Sequence, residues 1–319
     1  MNDLHALPKV RDSNSFLYVE HKKIDQEDKA IALHDKAGKV AVPCADLTAL
    51  LLGPGTSITH AAVKTLADNG CLVLWMGEGG VRFYAQGMGE TRSSRNLLRQ
   101  SRLVSDEWLR LRVVRRLYEM RFPEPLDSEL TLQQIRGKEG IRVRESYARA
   151  SRETGVEWTG RSYKRTSWAE ADPVNRALSS ANSCLYGVCH AAIVSAGYSP
   201  ALGFIHTGKM LSFVYDIADL YKAGITVPAA FEAAAEGPYN LETRVRRRCR
   251  DYFHRERLLQ RIVPDIERAM AVDDTAISQA TDFDTPDDPP GGLWDPESGS
   301  VAGGVNWSDD PEGGKPTWS

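Results

Sequence analysis

Apolar residues follow two different rhythms along the 319-residue chain. Up to about residue 90 the apolar stretches are short and rich in β-branched and aromatic residues. They are SFLYVE (15–20), AIALH (30–34), VAVPC (40–44), TALLLG (48–53), CLVLWMG (71–77) and VRFYAQG (81–87), bounded by Gly, Pro, Asp and Lys. Runs of this kind predict strands. Between them, SITHAAVKTLADNG predicts one helix, entered at Thr56 or Ser57 and closed by Gly70.

Beyond residue 90 the apolar positions recur three and four apart. The 93–122 segment predicts helix, with Asp106 placed to start a second one inside it. Helical patterns return at 128–153, 173–197, 211–222, 227–236 and 240–271. No strand signal of comparable strength appears in this half, and no repeat of fixed period. The expected fold class is α+β: an N-terminal β-sheet domain over 1–90, then a larger all-α domain over 91–272. Residues 273–319 are rich in Pro, Gly, Ser and Asp, and too polar to offset the entropy of ordering, so a disordered tail is expected. Trp294, Trp307 and Trp318 are unusual there; they are either anchors for a partner surface or an accident of composition.

Bulk composition, 42% hydrophobic and 26% charged, is that of a globular protein. No apolar run approaches the ~18 residues of a membrane span, and the first residues show no signal-peptide pattern. No membrane partner and a cytoplasmic location are expected. The five cysteines are scattered, odd in number and without C-x-x-C spacing, which argues against a disulfide framework and a zinc site. Cys184 and Cys189 are five apart, so on a helix they diverge; with His190 they read as core residues.

Charge alters the picture more. The net charge is −3, but eleven acidic residues and one basic residue, Lys315, give 273–319 a charge of −10 and leave +7 on the rest. A basic body suggests a polyanionic partner such as nucleic acid; solubility is the plainer alternative. Nine arginines lie between 92 and 121, and ETRVRRRCRDYFHRER adds Arg244, Arg246, Arg247, Arg248 and Arg250. The planar guanidinium suits phosphate.

One stretch carries chemistry, FIHTGKMLSFVYDIADLYK (204–222). On a helix from Leu211, Ser212, Asp216 and Asp219 fall at i, i+4 and i+7 on one face. A solvated face accounts for such a stripe. It is short and acidic, however, with no basic partner inside the helix, and His206 precedes it where Gly208 lets the chain bend. Two carboxylates and an imidazole make an incomplete site for Mg2+ or Mn2+. Glu139, flanked by Gly137 and Gly140, is one of many acids able to complete it; the glycines suggest a close approach to it. Spacing alone does not select it.

Together, RGKEG, NSCLYG, AGYSPALGFIHTGK, LSFVYDIADL, PGTSITHAAVK and GEGGVRFYAQG resemble the CRISPR-associated integrase family (CRISPR-associated protein one), most closely its type I-E subtype. The resemblance runs from about residue 10 to 270. It implies the two domains already read. It also implies metal ligands Glu139, His206 and Asp219, with Asp216 supporting the site. Lys209 would meet a phosphate and Arg82 would contact DNA. His21 stands where relatives stack a tyrosine on the end base pair, with Tyr18 as its rival. Tyr163 and Tyr186 match residues that help read the protospacer-adjacent motif, and Trp168 and Tyr215 match further aromatic positions. Arg246 and Arg248 join the DNA-binding candidates from the basic run.

The implied reaction is a transesterification. The 3′-hydroxyl of a captured foreign DNA fragment (the protospacer) attacks a phosphodiester at a CRISPR repeat, with Mg2+ or Mn2+ as cofactor. The implied partners are double-stranded DNA, a second copy of the chain in a homodimer, and the second, smaller adaptation protein. The rivals are a structure-specific nuclease on branched DNA and a non-catalytic DNA-holding subunit.

Overall fold

The computed structural model describes residues 16–27, 30–44, 47–89, 93–161 and 172–272, and the backbone of 293–295 and 299–301. Two four-stranded sheets form the N-terminal region. In one, β1 (Phe16–Val19), β5 (Ala49–Leu52) and β7 (Leu72–Met76) run parallel, and β8 (Phe83–Gly87) closes the edge antiparallel to β7. In the other the order is β4 (Gly38–Pro43), β3 (Ala30–Asp35), β2 (Lys23–Glu27), β6 (Ser57–Ile58). Helix α1 (His60–Asp68) is capped by the Thr59 hydroxyl, two or three residues later than the expected entrance at Thr56 or Ser57.

Side chains alternate along a strand, and β5 and β7 use both faces. Leu50, Leu52 and Val73 face the second sheet and α1, packing with Ile24, Ile31, Leu33, Ala62 and Leu66. Ala49, Leu51, Leu72, Leu74 and Met76 face the other way, onto Ala191 and Val194 of α5 (Pro173–Ser195). The sheet region and the helical region therefore share a core.

The helical region consists of α2 (Arg95–Ser105), α3 (Glu107–Glu119), α4 (Leu132–Thr154), α5, α6 (Ser212–Ala218), α7 (Val227–Ala235), α8 (Leu241–Arg255) and α9 (Leu258–Met270). Asp106 caps α3, as its position in the sequence predicts. Thr131 and Gln134 form a capping box at the start of α4, and Gly155, at φ 70°, ends it. Helix α5 is the central element. It is the one described helix long and apolar enough to cross a membrane, yet 72% of that window is buried inside the protein. Gly187 lets the sheet region approach it: a Cβ there would lie 2.7 Å from the Val81 carbonyl oxygen.

Three expectations need correction. The segment KIDQE forms β2 although only Ile24 is buried in it, because it pairs with β3 over its whole length. The 240–271 pattern is two helices, broken where Arg257 takes the left-handed conformation at φ 47°. In the tail, Leu293–Asp295 (β9) and Gly299–Val301 (β10) pair antiparallel, so strands are present where none was expected.

At the seam between sheet and helices, the His190 ring on α5 stacks on Phe83 of β8 at 3.7 Å. Burial pushes its pKa down from 6.5 to about 4. Between those values the unfolded chain binds the proton more readily than the folded one. Stability from neutral His190 is thus complete above pH 6.5 and is lost as pH falls towards 4. Allowing for partial exposure, we expect a loss of about 1–2 kcal/mol across that window. Thermal midpoints of His190→Gln should vary less over the same window; parallel curves for variant and wild type would refute the assignment.

Candidate active site

The loop before α6 is held from three sides. The Gln100 side chain, fully buried, donates to the Ser199 and Leu202 carbonyls (3.0 and 2.8 Å) and accepts from the Ser199 amide (2.7 Å). Arg110 donates twice to the Phe204 carbonyl, at 3.0 and 2.9 Å. Gly203 lets the loop double back: a Cβ there would lie 2.2 Å from the His206 carbonyl oxygen, so no other residue fits.

Asp216 holds the loop from the helix side. It is 0% exposed, as is Ser212, so the polar stripe of α6 points inward and is not a solvated face. Oδ2 of Asp216 accepts the Phe204 and Ile205 amides (2.6 and 3.1 Å), and Oδ1 accepts the His206 amide (2.9 Å). His206 Nδ1 lies 2.7 Å from the same Oδ1. A carboxylate oxygen can only accept, so Nδ1 is the donor, and in the neutral ring the lone pair then lies on Nε2. Imidazoles that bind metals are characteristically held this way by a carboxylate.

Glu139 stands mid-helix on α4 and is 9% exposed. Arg142, one turn on, grips it with two bonds, Nε to Oε2 at 2.8 Å and NH2 to Oε1 at 3.0 Å. Arg121, just past α3, places NH1 3.3 Å from Glu139 Oε1 and NH2 3.5 Å from Asp219 Oδ2. One guanidinium thus contacts both acids that the family resemblance implies as ligands. Lys222 Nζ reaches Asp219 Oδ1 at 2.6 Å from the wide helical turn 222–226, a deformation frequent at functional sites. Burial alone would pull the Lys222 ammonium down, but Asp219 and Tyr186 hold it above its ordinary value.

Aromatic rings complete the circuit. The Lys222 ammonium lies over the Tyr186 ring, Tyr186 packs edge-on against Tyr215 at 4.9 Å, and Tyr215 packs edge-on against His206 at 5.8 Å. The chain of contacts from Glu139 through Arg121, Asp219, Lys222, Tyr186 and Tyr215 to His206 and Asp216 is unbroken. Sequence reasoning missed Arg121, Arg142 and Lys222. The last two were visible as i+3 ion-pair partners; Lys222 gives the acidic stripe a basic partner from just beyond α6. Arg121 left no local signal.

The donor set suits a hard divalent ion: two carboxylates and an imidazole nitrogen with its tautomer fixed. As the side chains stand, however, the carboxylates are turned onto guanidinium and ammonium groups. Among the described residues no three His, Cys, Asp or Glu side chains are grouped to hold one metal. Gly137 and Gly140 are not packing devices, since a Cβ at either would meet nothing within 4 Å.

The DNA-contact candidates separate. Arg82, Lys209 and His21 are exposed. His21, at φ 55°, is packed over Gly55, while the Tyr18 hydroxyl is committed to Glu20 and to the Gly79 amide. Arg246 faces the same β7–β8 loop, 3.8 Å from Glu78. Arg248 is instead paired with Glu232 and Glu236 on and just past α7. Tyr163 and Trp168 lie outside the described residues. Of the nine arginines of 92–121, Arg92 lies outside the described residues, and Arg99, Arg110, Arg115, Arg116 and Arg121 bond to carbonyls or carboxylates of the protein. That segment is largely scaffold, which weakens its reading as a phosphate-binding face.

This sheet-plus-helix architecture is shared with a solved DNA-bound protein of the CRISPR system: a crystal structure of a TtCas1–DNA complex superposes with TM-score 0.78 at 58% identity, covering 83% of this chain and 99% of that one. The family model for CRISPR-associated protein Cas1 matches residues 16–125 and 120–243, and the chain belongs to that family. CRISPR-associated endonuclease Cas1 2 of Thermus thermophilus is 56% identical over 313 residues, 98% of this chain and 95% of its own length. CRISPR-associated endonuclease Cas1 of Escherichia coli is 45% identical over 269 residues, 84% of this chain and 88% of its own.

Proposed function

We propose that the protein is a divalent-ion-dependent DNA integrase of CRISPR adaptation, of the type I-E kind, with nuclease activity on branched DNA at the same site. The supporting observation is that one guanidinium, Arg121, contacts both Glu139 and Asp219, while His206, linked to Asp219 through Lys222, Tyr186 and Tyr215, has its imidazole fixed by buried Asp216. Relatives named as endonucleases, and one solved with DNA, point the same way.

In this reading Glu139, Asp219 and His206 Nε2 hold Mg2+ or Mn2+. Bound there, the ion supplies Lewis-acid polarisation of a phosphodiester and lowers the pKa of the attacking 3′-hydroxyl. Asp216 keeps the Nδ1 proton in place and so presents the bare nitrogen. Arg142 and Lys222, with side chains 24% and 29% exposed, can turn from the carboxylates to phosphate oxygens. The open flank at Gly137 and Gly140 admits a DNA backbone beside Glu139. Lys209, Arg82 and Arg246 contribute positive charge around the path, His21 caps the end base pair, and Tyr186 contributes to reading the flanking motif. A homodimer joined by the second, smaller adaptation protein would hold both ends of the captured fragment. Chromosomal repeat DNA as target places the work in the cytoplasm.

The test combines a 3′-hydroxyl duplex, a repeat-bearing plasmid, Mn2+ and the partner protein. Covalent joining supports the proposal. Cleavage without joining makes the protein a nuclease, and binding with neither product makes it a holding subunit. A second expectation concerns charge. Arg246→Ala should weaken DNA binding and reduce the slope of log K against log salt by about one. Arg248→Ala should leave the slope unchanged, because Glu232 and Glu236 already neutralise that side chain. Equal slopes for wild type and Arg246→Ala would remove Arg246 from the interface.

A further inference from the structure

Arg121 is the odd member of the site. Its side chain is 5% exposed, and Tyr118 covers its guanidinium face at 4.7 Å. It contacts both carboxylates only loosely, and its buried Nε and NH2 have no hydrogen-bond partner. Guanidinium does not lose its proton in a protein, so this charge is permanent. Buried, under-bonded charge of this kind is costly and persists where it serves a purpose. Arg142 and Lys222 can swing out to water; Arg121 cannot.

The charges in the cluster point to that purpose. Three cations, Arg121, Arg142 and Lys222, face two carboxylates, Glu139 and Asp219. These five side chains carry a net charge of +1, and Asp216, the third carboxylate of the circuit, is already engaged by three backbone amides and the His206 ring, so a divalent ion arriving alone between Glu139 and Asp219 meets repulsion. A phosphate arriving with it restores the balance and draws Arg142 and Lys222 off the carboxylate oxygens. We propose that Arg121 is a resident counter-cation that disfavours loading of free divalent ions and makes ion loading conditional on a DNA phosphate. Ion and DNA binding are then positively coupled, and by linkage the coupling is reciprocal. The inference rests on the ion-dependent reading of the site and concerns its regulation. Arg121 is a positioning residue here, acting through the two carboxylates.

The experiment is a Mn2+ titration of full-length protein, followed by electron paramagnetic resonance of the free ion, with and without a short duplex. Glu139→Gln with the same duplex gives the background from DNA-bound Mn2+. For wild type we expect the duplex to tighten Mn2+ binding about ten-fold or more. For Arg121→Gln we expect binding without DNA to tighten about ten-fold, and the effect of DNA to shrink to about two-fold. Arg121→Lys keeps the charge but cannot span both acids; it should fall between, and it carries the test if Arg121→Gln does not fold. Equal Mn2+ affinity in wild type and both variants would overturn the inference and leave the ion-dependent reading standing. Weaker binding in a folded variant would also overturn it, by making Arg121 a scaffold for the ligands. If no protein binds Mn2+ above background, with or without DNA, the inference and the reading beneath it fail together.

Discussion

Glu139→Gln and Asp219→Asn are each expected to reduce strand joining by about a thousand-fold or more in protein that still folds. The effect is large because the substitution removes one of the two carboxylates proposed to hold the ion. A thousand-fold corresponds to about 4 kcal/mol of transition-state stabilisation, within the range of a Lewis-acid contribution. The fold should survive for a stated reason. In Glu139→Gln the new amide oxygen can still accept from Arg142, and Lys222, 29% exposed, can turn to solvent when Asp219 is neutralised. A stability loss of about 1–3 kcal/mol is expected in denaturant titrations, against the near-complete loss of product on gels. If both variants join DNA within ten-fold of wild type, the reactive centre lies elsewhere.

The contrast between these residues and their surroundings shows what one sequence can disclose. The helix start at Asp106 was legible because a cap is a local event, decided by residues within one turn, whereas the 128–153 pattern began before the true cap at Thr131. The strand β2 was not, because KIDQE owes its conformation to pairing with β3 and buries a single side chain. The break at Arg257 was hidden for a related reason: the left-handed residue there is neither glycine nor asparagine, so tertiary packing imposes the turn. Within the site, Asp216, Asp219 and His206 share one short stretch, and their pattern alone raised the right question. The pattern gave the wrong default, however, since a polar stripe on a helix suggests solvent, and here it is buried.

The arginines were the least legible. Composition counts them as one basic surface, but an arginine near a carbonyl and an arginine near water have the same letter. Arg110 spends its donors on the Phe204 carbonyl and Arg248 on two glutamates, whereas Arg82 stays exposed. Arg121 needs α3, α4 and α6 all in place before its role exists. Only family resemblance selected Glu139 among the acids, and only the assembled helices show what stands between it and Asp219.

The largest stability effect is expected at Asp216. Asp216→Ala strips the acceptor from three backbone amides and from the His206 ring at once. The Phe204 amide left behind is buried and the Ile205 and His206 amides are partly so, and the whole loop loses its anchor, so the unfolding free energy should fall by about 3 kcal/mol. Asp216→Asn should give little rescue. Each carboxylate oxygen faces two N–H donors, Phe204 and Ile205 on one side and the His206 amide and ring on the other. Whichever position receives the NH2 group of asparagine then meets donors with a donor. Hydrogen exchange at the 204–206 amides should accelerate in both variants, because those three protons lose their acceptor first. Joining should fall in parallel, since an imidazole freed from Asp216 no longer has its ring orientation and tautomer fixed. This behaviour separates Asp216 from Asp219: the first should lose fold and activity together, the second activity with the fold retained. An Asp216→Ala protein within about 1 kcal/mol of wild type, with protected 204–206 amides, would show that the loop is held by Gln100 and Arg110 alone.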